Sequence, residues 1–251
     1  MTAANALPVL ILLHGAGGNQ AMWSPVRRHL DPRLQVVALD LPGHGSRGDG
    51  HYTVESAVEL VASEVRRLAP ATVVLAGDSL GGYTAIAAAL AIPPERIAGL
   101  AVGGCTVNIE GKILRALRIR KFMVRVMAAL MGEKRLVARS ADALVKKGIA
   151  RADMEAIVAA RMRLAAWGEA VDSLANRDTV AQVRQIPSRI LFLNGDEDDG
   201  PVAHEAEFLA AARHASAARF PCEHGVSLWM PAEFATAVNH FVLGLAEQAA
   251  A

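Results

Sequence analysis

Cysteine is nearly missing from this chain of 251 residues: there are two, Cys105 and Cys222, far apart in the sequence. They supply neither a metal-ligand spacing nor a disulfide framework. No apolar run approaches the roughly 18–20 residues of a membrane-crossing helix. The first eight residues, Met1 to Pro8, carry no basic segment, and Val9 to Leu13 is too short for the roughly 7–15 apolar residues of a secretory leader. The expectation is a cytoplasmic protein with no membrane contact. The formal net charge is only +1, so total charge points to no nucleic-acid partner. There is no internal repeat, and the alanine-rich C-terminal tail is expected to fray.

What is present begins with length, which suits one α/β domain with a sizeable core. Val9 to Leu13 is a continuous apolar run, as in a parallel strand covered on both faces, and it ends in His14-Gly15-Ala16-Gly17-Gly18. Ser24-Pro25 reads as the N-cap and first residue of a short helix through Leu30. Leu34 to Leu39 is a second strand, closed by Asp40-Leu41-Pro42-Gly43-His44-Gly45, and Thr53 caps a helix whose apolar residues recur from Val54 to Leu68. Further strands are expected near 73–76, 97–102, 190–193 and 218–220, with helices at about 83–92, 202–213 and 231–245. Strands alternating with helices imply a doubly wound, mostly parallel sheet of about six strands, whose ligands bind beyond the strands' carboxyl ends.

Between the third strand and its helix lies Gly77-Asp78-Ser79-Leu80-Gly81, a Gly-x-Ser-x-Gly strand-to-helix turn. A serine in so sharp a turn needs neighbours without Cβ two positions to either side. Asp78 is flanked at those positions by Ala76 and Leu80, Ser79 by Gly77 and Gly81, so Ser79 is the candidate nucleophile. A neutral hydroxyl needs a base, and His224 lies beyond the last strand; four acids, Asp196, Glu197, Asp198 and Asp199, follow the fifth. Asp78 would either place a negative charge near the pocket or bond back to the backbone of its own turn, and the second is the expectation. His14 and His44 read as loop-structural, and His29, His51, His204, His214 and His240 as bystanders. Residues 106–182 change character: helical, with 15 Lys/Arg against 8 Asp/Glu, while the remainder of the chain carries 11 against 17.

The order Ser…Asp…His, with His14-Gly15, Asp40 to Gly45, Gly77 to Gly82, Gly195-x-x-Asp198 and His224, resembles the α/β-hydrolase superfamily over essentially the whole chain. The resemblance implies a core of residues 1–105 and 183–251, capped by a helical insertion at 106–182. It selects Asp198, three residues after the loop glycine, as the triad acid. It also places the oxyanion hole at the backbone N–H groups of Leu80 and Ala16. The N-terminal β-hairpin common in the family is missing, so a different sheet edge is exposed and monomer and dimer both stay open. The strand order implied leaves one strand between those carrying Cys105 and Cys222, which keeps them as two thiols. Trp23, Trp167 and Trp229 each read first as packing; Trp23 and Trp229 also fall where pocket walls usually arise, which makes them candidate substrate contacts.

Among relatives, the chain resembles small capped esterases of the pimeloyl-[acyl-carrier-protein] methyl ester esterase type, and the menaquinone-pathway lyase. The implied activity is hydrolysis of a small or medium ester or thioester through an acyl-enzyme, without metal or cofactor. The alternatives are C–C bond hydrolysis or lyase chemistry with the same triad, or non-catalytic ligand binding. Arg115, Arg118, Arg120, Lys121 and Arg125 would either dock the insertion on an acidic core or attract an anionic or carrier-linked substrate. Acids interleaved through 106–182 argue against a membrane surface.

Overall fold

A computed structural model describes residues 7–250. Six strands, β1 (Val9–Leu13), β2 (Val36–Leu39), β3 (Val73–Asp78), β4 (Ile97–Gly103), β5 (Arg189–Gly195) and β6 (Ala215–Phe220), form one sheet in the order β2-β1-β3-β4-β5-β6. Every pairing is parallel. Because side chains alternate across a strand, β1 sends Val9, Ile11 and Leu13 to one face and Leu10 and Leu12 to the other. Both faces of the central strands are covered, which is why β1, β3 and β4 read as unbroken apolar runs.

On the first face lie α2 (Val54–Arg67), α3 (Leu80–Ala91), α8 (Thr179–Gln185) and α9 (Asp199–Ala211); on the second, α1 (Ser24–Arg27), α10 (Val226–Trp229) and α11 (Pro231–Ala250). Thr53 caps α2 through a reciprocal pair with Ser56, as its position predicts. Ser24 does not cap α1. Asn19 accepts the Ala21 N–H instead and starts a 3-10 turn over Gln20–Trp23, so Ser24 is already helical. Helix α11 runs to Ala250.

Between β4 and β5 the chain adds α4 (Gly111–Met131), α5 (Glu133–Lys146), α6 (Arg151–Ala159) and α7 (Leu164–Leu174) ahead of α8. Ala141, Ile149, Met154 and Ile157 make a small core within this insertion. That core packs on Ala21 and Met22 after β1 and on Leu228 and Trp229 after β6, beside the strands' carboxyl ends.

Candidate functional site

Ser79 sits at φ 55°, ψ −116°, a conformation that non-glycine residues rarely adopt. Close packing holds it there: a Cβ on Gly77 would meet the Gly81 carbonyl carbon at 2.3 Å, and one on Gly81 would meet Leu13 O at 1.8 Å. The two glycines let β3, β1 and α3 converge, and the Ser79 N–H donates to Gly103 O at 2.7 Å. The hydroxyl projects from the turn at the start of α3.

His224 Nε2 lies 2.8 Å from Ser79 Oγ, and its Nδ1 lies 2.5 Å from Asp198 Oδ2. The three side chains thus form one hydrogen-bonded row, with the imidazole half exposed and the Asp198 carboxylate largely covered. Asp196, Glu197 and Asp199 face solvent. Burial alone would lower the His224 pKa, but the hydrogen bond and charge of Asp198, with a contribution from Asp78, raise it above the ordinary value, while Arg120 opposes. Trp229 donates from Nε1 to His224 O at 3.1 Å, bracing the histidine loop.

The loop after β1 comes close to Ser79, a Cβ on Gly15 lying 3.7 Å from Ser79 Cβ. Among the described residues, neither the Ala16 nor the Leu80 N–H enters a loop or side-chain hydrogen bond. Two buried histidines hold this loop in place. His14 Nε2 accepts the Leu41 N–H at 3.0 Å, and His44 Nε2 accepts the Gly17 N–H at 3.0 Å. Burial pushes both pKa values down, His14 to about 3, so both stay neutral acceptors at pH 7. Below them, buried Asp40 accepts from the Gln20 N–H, the Ser46 N–H and the Ser46 hydroxyl at 2.7, 2.8 and 2.7 Å.

Two residues here, Arg163 and Asn194, were not singled out in the sequence. Arg163 of the insertion donates its N–H to Gly17 O at 2.9 Å and its guanidinium to the carbonyls of Gly43 and Gly48. Asn194 links the Gly104 N–H to Thr106 and Glu205, fixing the chain just before the acid loop. Arg120 lies over the Trp167 ring at 5.1 Å, and Trp167 Cβ is 3.9 Å from a Cβ position on Gly17. None belongs to a local motif; each acts across long sequence separations.

Two expectations are corrected. Trp23 is fully buried against Phe234, with Leu10, Leu12 and Val26 in the same cluster, so it belongs to the core and walls no pocket. Asp78 does not bond its own turn; Oδ2 accepts from the Ser227 N–H and hydroxyl. Cys105 and Cys222 are free, buried thiols. His51, read as a bystander, pairs with Glu169 of the insertion.

Residues 10–237 match the sequence profile of the alpha/beta hydrolase family. An esterase of Mycobacterium tuberculosis is 43% identical over 90 residues, which are 34% of this chain and 29% of that protein. The pimeloyl-[acyl-carrier protein] methyl ester esterase of Vibrio vulnificus is 37% identical over 83 residues, 33% of this chain and 31% of its own. The chain thus matches about a third of the length of each of these curated relatives. Among solved structures, a carboxylesterase of the thaumarchaeon Nitrososphaera gargenis superposes with a TM-score of 0.78 at 19% identity, covering 99% of this chain and 94% of that one. E-2-(Acetamidomethylene)succinate hydrolase superposes with a TM-score of 0.73, also at 19% identity, over 94% and 91%. By the extent of the profile match, and in keeping with the sheet and the turn at Ser79, the chain belongs to the alpha/beta hydrolase family.

Proposed function

We propose that this protein hydrolyses carboxylic esters or thioesters of a small or medium acyl group, with Ser79 as nucleophile. The observation that carries the reading is the unbroken row from Ser79 Oγ through the His224 imidazole to Asp198. Nε2 takes the hydroxyl proton as Oγ attacks the acyl carbon, and Asp198 keeps the other ring proton on Nδ1 and stabilises the imidazolium. The amides of Leu80 and Ala16 receive the oxyanion; one such donor is typically worth ~3–4 kcal/mol in the transition state. Collapse expels the alcohol or thiol, which takes the proton from His224. Water, deprotonated by the same ring, then attacks the acyl-serine and releases the carboxylic acid. The inserted helices would cover the acyl site.

A carrier-linked or otherwise anionic substrate is supported by the basic insertion and by the name of the Vibrio vulnificus relative. The test is hydrolysis of short p-nitrophenyl esters and labelling by a fluorophosphonate probe. Ser79→Ala should abolish both while leaving the thermal transition in place. Turnover retained by purified Ser79→Ala would falsify the assignment.

A further inference from the structure

Helix α4 carries a surface that hydrolysis does not use. Its inner positions, Leu114, Leu117, Val124 and Ala128, turn towards the protein. On the opposite side Ile119, Phe122, Met123, Val126, Met127 and Leu130 are exposed, Phe122 by 68% and Leu130 by 82%. Their spacing places them on one face of an α-helix, a stripe about 16 Å long at 1.5 Å per residue. These six make up all but one of the large apolar side chains exposed among the described residues. Isolated exposed apolar residues need no explanation; a contiguous stripe does.

Charge identifies what would cover it. Between Gly111 and Met131 there are six Lys/Arg and no acid. Lys121 pairs with Asp172 and Arg120 lies over Trp167, but Lys112, Arg115, Arg118 and Arg125 make no salt bridge among the described residues. Arg118 and Arg125 fall along one edge of the stripe, and Lys112 and Arg115 extend from its N-terminal end. A second copy of this chain would bring like charges together, so self-association is disfavoured. The acids that argue against a membrane surface lie in the flanking segments, beginning at Glu110 and Glu133, outside the helix. No described helix is long and apolar enough to cross a membrane. An apolar stripe bordered by cations suits a helix lying in the headgroup plane.

We propose that α4 docks on an anionic bilayer, seating the face from Ile119 to Leu130 among the acyl chains with Arg118 and Arg125 against lipid phosphates. The experiment is co-sedimentation of the full chain with vesicles of phosphatidylcholine alone or mixed with phosphatidylglycerol, at low and high salt. A parallel arm offers a soluble acidic acyl-carrier protein. Binding is expected to the anionic vesicles, to weaken severalfold in high salt, and to be much lower on neutral vesicles. Phe122→Glu combined with Leu130→Glu should weaken it by at least ~10-fold, and Arg118→Gln with Arg125→Gln by ~10-fold, all with unchanged thermal midpoints. Absence of vesicle binding, equal binding to neutral vesicles, or indifference to the Glu substitutions would overturn the proposal. So would carrier-protein capture through these residues without vesicle binding. The readout is independent of ester turnover, so it stands or falls separately from the proposed activity.

Discussion

Asp78 and Ser227, 149 positions apart, are joined twice: Oδ2 of the carboxylate accepts the Ser227 N–H at 3.1 Å and its hydroxyl at 2.5 Å. The pair ties the residue before Ser79 to α10, the short helix just after His224. Ser227→Ala removes the hydroxyl donor and leaves the buried carboxylate oxygen with the backbone N–H alone. Ser227→Ala should therefore cost about 1–3 kcal/mol in urea unfolding. A double-mutant cycle with Asp78→Ala should return a coupling of similar size, about 0.5–3 kcal/mol. Additive single effects would mean that the contact contributes nothing of its own.

The raised pKa of His224 has a kinetic consequence if the ring is the general base. It must be neutral to accept the serine proton, so kcat/KM should fall as pH drops, with a midpoint above the ordinary ~6.5. Asp198→Asn removes the main interactions raising that pKa. The acid limb should move to lower pH, and kcat should drop by ~10⁴ as the tautomer is lost. An unmoved limb would assign the titration to another group.

Buried His14 makes stability itself depend on pH. Its folded pKa is about 3 against an ordinary 6.5, so below pH 6.5 the unfolded chain takes up a proton that the folded chain refuses. That contribution destabilises progressively as pH falls from 6.5 towards 3, by up to about 1.4 kcal/mol per pH unit. Urea midpoints measured between pH 7 and 5 should fall more steeply for the natural chain than for His14→Gln. Parallel slopes would show that the ring is protonated without cost.

Asp40 organises two loops around one carboxylate, whose pKa is lowered because bonds from Gln20 and Ser46 outweigh a burial effect acting in the other direction. Asp40→Ala leaves those donors without their acceptor beneath the Ala16 loop. The expected loss, read by denaturant titration, is about 1–3 kcal/mol for each donor left unsatisfied. Asp40→Asn, which keeps the shape and two lone pairs, should lose less. An equal loss would place the effect in charge alone.

The parallel sheet was legible because most of its strands are apolar runs stopped by glycine-bearing loops, the edge strand β6 with Ser216 and Arg219 being the exception, and Ser79 because Gly77 and Gly81 bracket it. The direction of Asp78 was not, since its partner lies across the molecule and no local pattern encodes it. Trp23 misled for a related reason: Asn19 begins a tight turn that carries the indole to the second face of the sheet, away from Ser79. Arg163 looks like any other cation of the insertion until folding brings three loop carbonyls around it. Local chemistry marked the reacting groups; the braces behind them depend on encounters between distant segments.

Arg163 anchors the insertion to Gly17, next to the amide proposed to receive the oxyanion. Should the inserted helices swing outward to admit a ligand, that anchor breaks, and the neighbouring Ala16 N–H loses a fixed aim. Entry and readiness would then be mutually exclusive, an interlock that withholds bond cleavage until the doorway has shut behind the guest.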